Sequence, residues 1–161
     1  MRIAIGNDRR GLECKEKLLS VLNEEGHELV NVGTDENFPV DYPIYAKKVA
    51  ELVVSKECDR GIVICASGIG VMIAANKVDG ARCGMGYDDD VAHLMCEHDD
   101  CNIIAFGQDF INFEDVVRRT KIFLNARFLG GYHRYRIEQI GNIEQGLPLV
   151  QSPIENKDWK R

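Results

Sequence analysis

Ile62-Val63-Ile64-Cys65-Ala66-Ser67-Gly68-Ile69-Gly70-Val71 changes character twice within ten residues. Its first part is an apolar, β-branched run, which suits a strand buried on both faces. Ser67-Gly68-Ile69-Gly70 then makes a tight glycine-rich turn, and the next apolar residues open a helix. A buried strand feeding a helix through such a turn is one unit of a parallel sheet. The same alternation recurs on both sides. Arg2–Gly6 reads as a strand and Leu12–Glu25 as a helix with Leu18, Leu19 and Leu22 on its apolar face, stopped by Gly26. Glu28–Val32 is the second strand. A loop with Gly33, Pro39 and Asp41-Tyr42-Pro43 leads into a helix through Ala46, Val49, Ala50 and Val53. The third strand is Gly61–Cys65, followed by a helix over Gly70–Val78. Ala81–Gly86 and Asn102–Gly107 are strands four and five, each followed by a helix, Val91–Glu97 and Phe113–Phe128. Five strand–helix units with right-handed crossovers predict a doubly wound, three-layer α/β structure with a five-stranded parallel sheet.

Beyond Gly130-Gly131 a further helix, about Tyr132–Gln145, has a basic start and an amphipathic body suited to docking on another surface. The stretch Gly146–Arg161 holds two prolines and no periodicity, and is expected to be an extended tail. At 161 residues the chain suits one domain. A net charge of −6 argues against a nucleic-acid binder, although one pocket of an acidic protein can still hold a small anion. No apolar run approaches the roughly 18 residues of a membrane span, and the N-terminus starts directly on a strand rather than on a signal peptide. The six cysteines (14, 58, 65, 83, 96 and 101) have no CxxC spacing and fit reduced cytoplasmic thiols. Cys96 and Cys101, near His93 and His98, lack the tighter spacing of a structural zinc site.

In open parallel sheets ligands bind at the carboxyl ends of the strands, near a switch in strand order. This directs attention to Asn7-Asp8-Arg9-Arg10, Gly33–Pro43, Cys65–Gly70, Tyr87–Asp90 and Gln108-Asp109. The amides of the Ser67–Gly70 turn suit a phosphate or an oxyanion, or simply a tight turn. No Gly-Lys-Ser/Thr follows, so it is not a Walker loop. Cys65, at the end of a buried strand, is either a thiolate base or nucleophile or an ordinary core residue. Asp8 suits a sugar hydroxyl or a helix N-cap. His98, flanked by carboxylates, is a general-acid candidate. Tyr132-His133-Arg134-Tyr135-Arg136 offers either a phosphate site or a solvated basic helix start.

Taken together, these residues resemble the RpiB/LacAB family of sugar-phosphate isomerases over about residues 1–145. The likeness is carried by Ile5-Gly6-Asn7-Asp8, Val32-Gly33-Thr34, Asp41-Tyr42-Pro43, the Cys65–Val71 loop, Ala74-Ala75-Asn76-Lys77-Val78, Glu97-His98, Asn102–Gly107 and Gly130–Arg136. The resemblance implies a sheet of order 2-1-3-5-4 and a homodimer or tetramer with active sites shared between chains. It also implies a reaction without metal or cofactor: aldose–ketose isomerisation through a cis-enediolate, with ribose 5-phosphate as the default substrate. Cys65 takes the place of the family's loop cysteine as base, because Val71 stands where another branch has glutamate. Ser67 and His98 are implied in ring opening, the amides of Gly68, Ile69, Gly70 and Val71 in holding the enediolate oxygen, and Asp8 and Tyr42 in orienting hydroxyls.

Four positions depart from the family pattern. Arg9 replaces a histidine, Asp99 an asparagine, Asp109 an arginine and Tyr132 the first arginine of the phosphate cluster, while His133 and Arg136 remain. A carboxylate near a phosphate dianion is unfavourable in a low-dielectric pocket, so these residues are expected to set which sugar is taken. The alternatives are another sugar phosphate, an unphosphorylated sugar, or a non-catalytic partner subunit.

Overall fold

The computed structural model describes residues 1–151. The strands are β1 (Arg2–Asn7), β2 (Glu28–Asn31), β3 (Arg60–Cys65), β4 (Cys83–Met85) and β5 (Ile103–Gly107). The α-helices are α1 (Leu12–Glu24), α2 (Tyr42–Val54), α3 (Ile69–Ala75), α4 (Asp89–Glu97), α5 (Phe113–Asn125) and α6 (Tyr132–Glu144). All strand pairs are parallel, in the order β2-β1-β3-β5-β4. The expected three-layer doubly wound sheet is therefore present, with its switch in strand order between β1 and β3.

Alternation along the strands divides the core. Ile3, Ile5, Ile62, Ile64, Ile104 and Phe106 point toward α1, α4 and α5. The intervening Ala4, Val63, Cys65, Ile103 and Ala105 pack with α2 and α3. A period of two thus places Cys65 in the α2/α3 layer, one residue beyond Ile64 in the other layer.

Several boundaries differ from the expected ones for local reasons. The Asp88 side chain accepts the N–H groups of Asp90 and Val91, so α4 begins two residues before Val91. Tyr42 belongs to α2 rather than to the loop, because Pro43 fits the first turn of a helix. Helix α3 stops at Ala75, since Asn76 turns its amide onto Cys83, with both Nδ2 and Oδ1 bonded to that residue's backbone. Strand β4 is shorter than expected, and α5 ends at Asn125 because Ala126 is extended. On the apolar face of α1, Leu18 and Leu22 are joined by Lys15, which is fully buried. Its Nζ donates to the Thr34 carbonyl (2.7 Å) and pairs with Asp35, while Asn7 Nδ2 reaches the same carbonyl at 3.2 Å. These bonds pin the loop after β2 to β1.

Helix α6 lies outside both layers, and His133 is its one buried residue. Residues 147–151 have no regular structure, and the remainder of the expected tail lies outside the described residues. No helix among the described residues is long and apolar enough to cross a membrane.

Candidate active site

The carboxyl ends of β1, β3 and β5 are fastened together by main-chain bonds. Asp8 N–H donates to Ile64 O (3.3 Å), Gln108 N–H to Cys65 O (2.9 Å) and Asp109 N–H to Ala66 O (3.1 Å). Gly107 permits this closeness: a Cβ there would lie 2.4 Å from the Ser67 carbonyl oxygen. Gly68, with φ +78°, makes the left-handed turn into α3 that a side chain disfavours.

Cys65 sits in this turn with its thiol buried, and the Gly68 N–H points at Sγ (3.1 Å). Ser67 Oγ accepts the Ile69 N–H (3.3 Å). The N–H groups of Gly70 and Val71 lie in the first turn of α3, where no helical acceptor exists for them. Tyr42 comes in from the start of α2 and lies against Gly70, where a Cβ would be 2.7 Å from the tyrosine Cζ. Cys65, Ser67, Tyr42 and the loop amides thus form one cluster in a single chain.

Asp8 has a structural role that is directly visible. Its Oδ1 accepts the Arg10 and Gly11 N–H groups (2.8 and 3.1 Å) as the N-cap of a short 3-10 turn. The capping alternative is therefore realised at one carboxylate oxygen. Arg10 reaches across the end of β3 to Asp109, with Nη2–Oδ2 at 2.7 Å. The Asp109 carboxylate is consequently not a bare charge at the mouth of the site. It also draws the Arg10 guanidinium above its ordinary pKa by hydrogen bonding and charge. Arg9 makes no ion pair among the described residues, and with Arg10, Glu13, Asn37 and Gln108 it lines a cavity of about 360 Å³.

The remaining predicted residues assemble elsewhere. Helix α4 runs back from the carboxyl end of β4, so His98 at its C-terminus lies at the amino edge of the sheet. The rings of His98 and His133 stack there, 4.2 Å apart and within 11° of parallel. Tyr132 leans on His133 at 4.1 Å, and the Arg136 guanidinium lies 5.1 Å from the Tyr132 ring centre. Leu129 N–H to Glu97 O (3.1 Å) ties the α6 entry to α4, and Gly80 N–H to Glu144 Oε1 (2.9 Å) ties its far end. Asp99 is exposed, while the neighbouring Asp100 is bound by Arg82 at 2.6 Å. Cys65 pairs in register with Gly107 at one end of β5, and Ile103 begins the other end. The two clusters are therefore separated by at least the length of β5, roughly 13 Å. Cys65 and His98 do not meet within one chain.

Arg10 and Gln108, which lie in two of the strand-end stretches singled out by the sequence but carry no individual role there, also belong to the first cluster. Arg10 pairs with Asp109, and Gln108 both donates to Cys65 O and accepts the Cys14 N–H at its Oε1 (2.9 Å). Their position at strand carboxyl ends was the available signal. No group of three or more His, Cys, Asp or Glu residues able to hold a metal occurs among the described residues. Cys96 instead directs its thiol to the carbonyls of Phe123 and Cys101.

Comparison with known proteins accords with this architecture. The family model described as Ribose/Galactose Isomerase matches residues 3–140. The chain belongs to this family. Among curated relatives, ribose-5-phosphate isomerase B of Escherichia coli is 38% identical over 144 residues, covering 89% of this chain and 97% of that protein. The structure of Clostridium thermocellum ribose-5-phosphate isomerase B superposes with a TM-score of 0.89 at 42% identity, covering 91% of this chain and 99% of that one. A Mycoplasma genitalium ribose-5-phosphate isomerase B, solved with bound ribulose-5-phosphate, gives 0.86 at 32% identity, with 89% and 96% covered. Strand order and family membership agree with what the residue resemblance implies.

Proposed function

We propose that this isomerase-family protein interconverts ribose 5-phosphate and ribulose 5-phosphate through a cis-enediolate, with Cys65 as the base. The observation that carries the reading is the Cys65 thiol, held at the carboxyl end of β3 with the Gly68 N–H 3.1 Å from its sulfur. As thiolate, Cys65 removes the C2 proton of the open-chain aldose. The electron pair forms the C1–C2 double bond, and the carbonyl oxygen at C1 becomes the enediolate oxygen. The Gly70 and Val71 amides are oriented to stabilise that charge. The proton on O2 passes to O1, and return of the carbon-bound proton to C1 as the C2–O2 carbonyl forms gives the ketose. Tyr42 and the free oxygen of Asp8 orient hydroxyls, and Ser67 with His98 opens the cyclic sugar.

His98, Asp99, Tyr132 and Arg136 would reach this thiol only from a second copy, so the active form is taken to be a homodimer or larger even assembly. Half-exposed apolar side chains on successive turns support this: Ile69 and Ile73 on α3, Tyr135, Ile140 and Ile143 on α6. Arg9 is assigned to the substrate phosphate, because the Arg10 charge is committed to Asp109. The six unpaired cysteines favour a reducing, cytoplasmic setting.

The test is proton exchange in deuterated water with ribose 5-phosphate, free ribose and six-carbon aldose phosphates. Deuterium should enter ribulose 5-phosphate, and Cys65→Ala should abolish exchange without lowering the melting temperature by more than a few degrees. Turnover confined to unphosphorylated sugars would overturn the phosphate reading. Full exchange by Cys65→Ala would overturn the base.

A further inference from the structure

His98 and His133 are 35 positions apart and lie on different helices, yet their rings stack almost in parallel with centroids 4.2 Å apart. Their surroundings are not equivalent. His98 caps the C-terminal end of α4, where helix dipoles favour positive charge. His133 is the second residue of α6, in the N-terminal turn, where they disfavour it. It is only 5% exposed, and its Nδ1 is buried without a hydrogen-bond partner. Glu97 and Asp99 face the pair from the α4 side, with Glu97 already held by His93 at 3.0 Å, and Arg136 faces it from α6.

We propose that His133 is a positioning residue, a stacking platform that fixes the ring plane of His98 for proton transfer, and not a ligand of the substrate phosphate. A ligand for a dianion should present a charged donor to the opening. His133 presents a ring face to His98, has one nitrogen sealed in the chain's own interior, and sits where cationic charge is penalised. Burial lowers its pKa, and the nearby His98 and Arg136 charges add to that effect. Two imidazolium rings at stacking distance repel, so the pair carries one proton before it carries two. His133 therefore favours its neutral form more than an ordinary imidazole does, and it holds the adjacent ring flat. Tyr132 extends the platform, its ring 4.1 Å from that of His133.

The inference rests on His98 opening the sugar ring, as proposed above, but half of its test does not use activity. In the full-length protein, the ring-proton NMR titration of His133 should lie below the ordinary imidazole range. It should move upward in His98→Phe, which keeps a stacked ring and removes its charge. An unmoved His133 titration would show that the rings are uncoupled and would overturn the proposal. The second half compares His133→Phe, which preserves a flat ring, with His133→Ala, which removes it. With ribose 5-phosphate, kcat should be about ten-fold higher for Phe than for Ala at similar KM. The gap should shrink with an open-chain aldose such as erythrose 4-phosphate, which needs no ring opening. Equal losses in Phe and Ala, seen in KM, would make His133 a phosphate ligand and defeat the platform role. If the titrations couple but His98→Phe impairs both substrate classes equally, the ring-opening assignment of His98 fails while the stacked pair stands.

Discussion

Replacing Gly107 by alanine should damage catalysis more than stability. The new Cβ would lie 2.4 Å from the Ser67 carbonyl oxygen and 2.5 Å from its carbon. An ordinary contact is about 3.4 Å, so one backbone must retreat by roughly 1 Å. Neither can yield by changing a rotamer, because both sides of the contact are main chain. The Gln108 and Asp109 N–H groups hold the same two segments together through Cys65 O and Ala66 O. Overpacking of this kind costs about 1–3 kcal/mol, which for a chain of this size lowers the melting temperature by about 3–9 °C. The displaced element is the Cys65–Gly68 turn, and about 1 Å of misplacement at a reacting group costs on the order of a hundred-fold in rate. The expected result is a folded enzyme with kcat for ribose 5-phosphate down about two orders of magnitude and a smaller change in KM.

Two other glycines serve as controls. A Cβ at Gly84 would press only on the flexible end of Met95, at 3.1 Å, with Cys101 Sγ at an ordinary 3.5 Å, and Gly26 has open space but a φ of +80°. Gly84→Ala should cost about 1 kcal/mol or less in stability, and Gly26→Ala about 1–2 kcal/mol for its left-handed backbone, each with kcat unchanged. Thermal melts and initial rates on the three variants decide the matter. If Gly107→Ala melts lower but keeps the parental kcat, the position of the turn does not set the catalytic geometry.

The Arg10–Asp109 pair predicts opposite effects of its two halves. Asp109→Asn should release the guanidinium and lower KM for the phosphorylated sugar several-fold at low salt. Arg10→Met should raise KM by leaving a bare carboxylate at the mouth, and the double variant should return toward the parent. Additive effects in KM measurements at two ionic strengths would show that the charges act separately. At Asp89, hydrogen bonds from Arg118 and Arg119 hold the carboxyl at a pKa of about 2, below its ordinary 3.8. A depressed folded-state pKa contributes stability above pH 4 and loses it as pH falls toward 2. The gap in melting temperature between the parent and Asp89→Asn should therefore close over that window; a constant gap would refute the linkage.

The sheet was legible because each strand is a short apolar run and each helix announces its period. Cys65 could be placed beside the α3 turn because it ends the apolar run that feeds the glycine-rich loop, whereas which layer its side chain enters is not marked in a run that is apolar on both faces. What the sequence concealed are pairings between distant charges. Lys15 occupies the apolar stripe of α1 with Leu18 and Leu22, and it looks like a solvated interruption there. Its partners, Thr34 O and Asp35, lie about twenty residues away. Arg10 and Asp109 are separated by 99 positions and become neighbours only because β1 and β5 flank β3. The Asp8 cap was readable as an alternative, since aspartate before a helical turn is an ordinary cap. The stacking of His98 on His133 had no local signal, because it depends on how α6 crosses the amino edge.

The charges at the carboxyl ends bear directly on substrate choice. Asp8, Arg9, Arg10 and Asp109 sum to zero, which on count alone would give a phosphate no reason to bind. Geometry removes that balance. One Asp8 oxygen is occupied by two backbone N–H groups and Asp109 by Arg10, whereas Arg9 has no carboxylate partner among the described residues. A dianion arriving there meets an uncommitted guanidinium. Of the two glutamates that line the same cavity, Glu13 pairs with Lys17, while Glu16 has no cation partner among the described residues and is the one acidic side chain left to oppose it. Arg9 and Asp109 are thus linked electrostatically through Arg10. The aspartate alone would repel the phosphate, but its partner at position 10 cancels it and leaves position 9 free. On this reasoning Arg9→Met should weaken phosphorylated substrates far more than Arg10→Met does, and should leave the kcat for any free sugar that turns over nearly untouched.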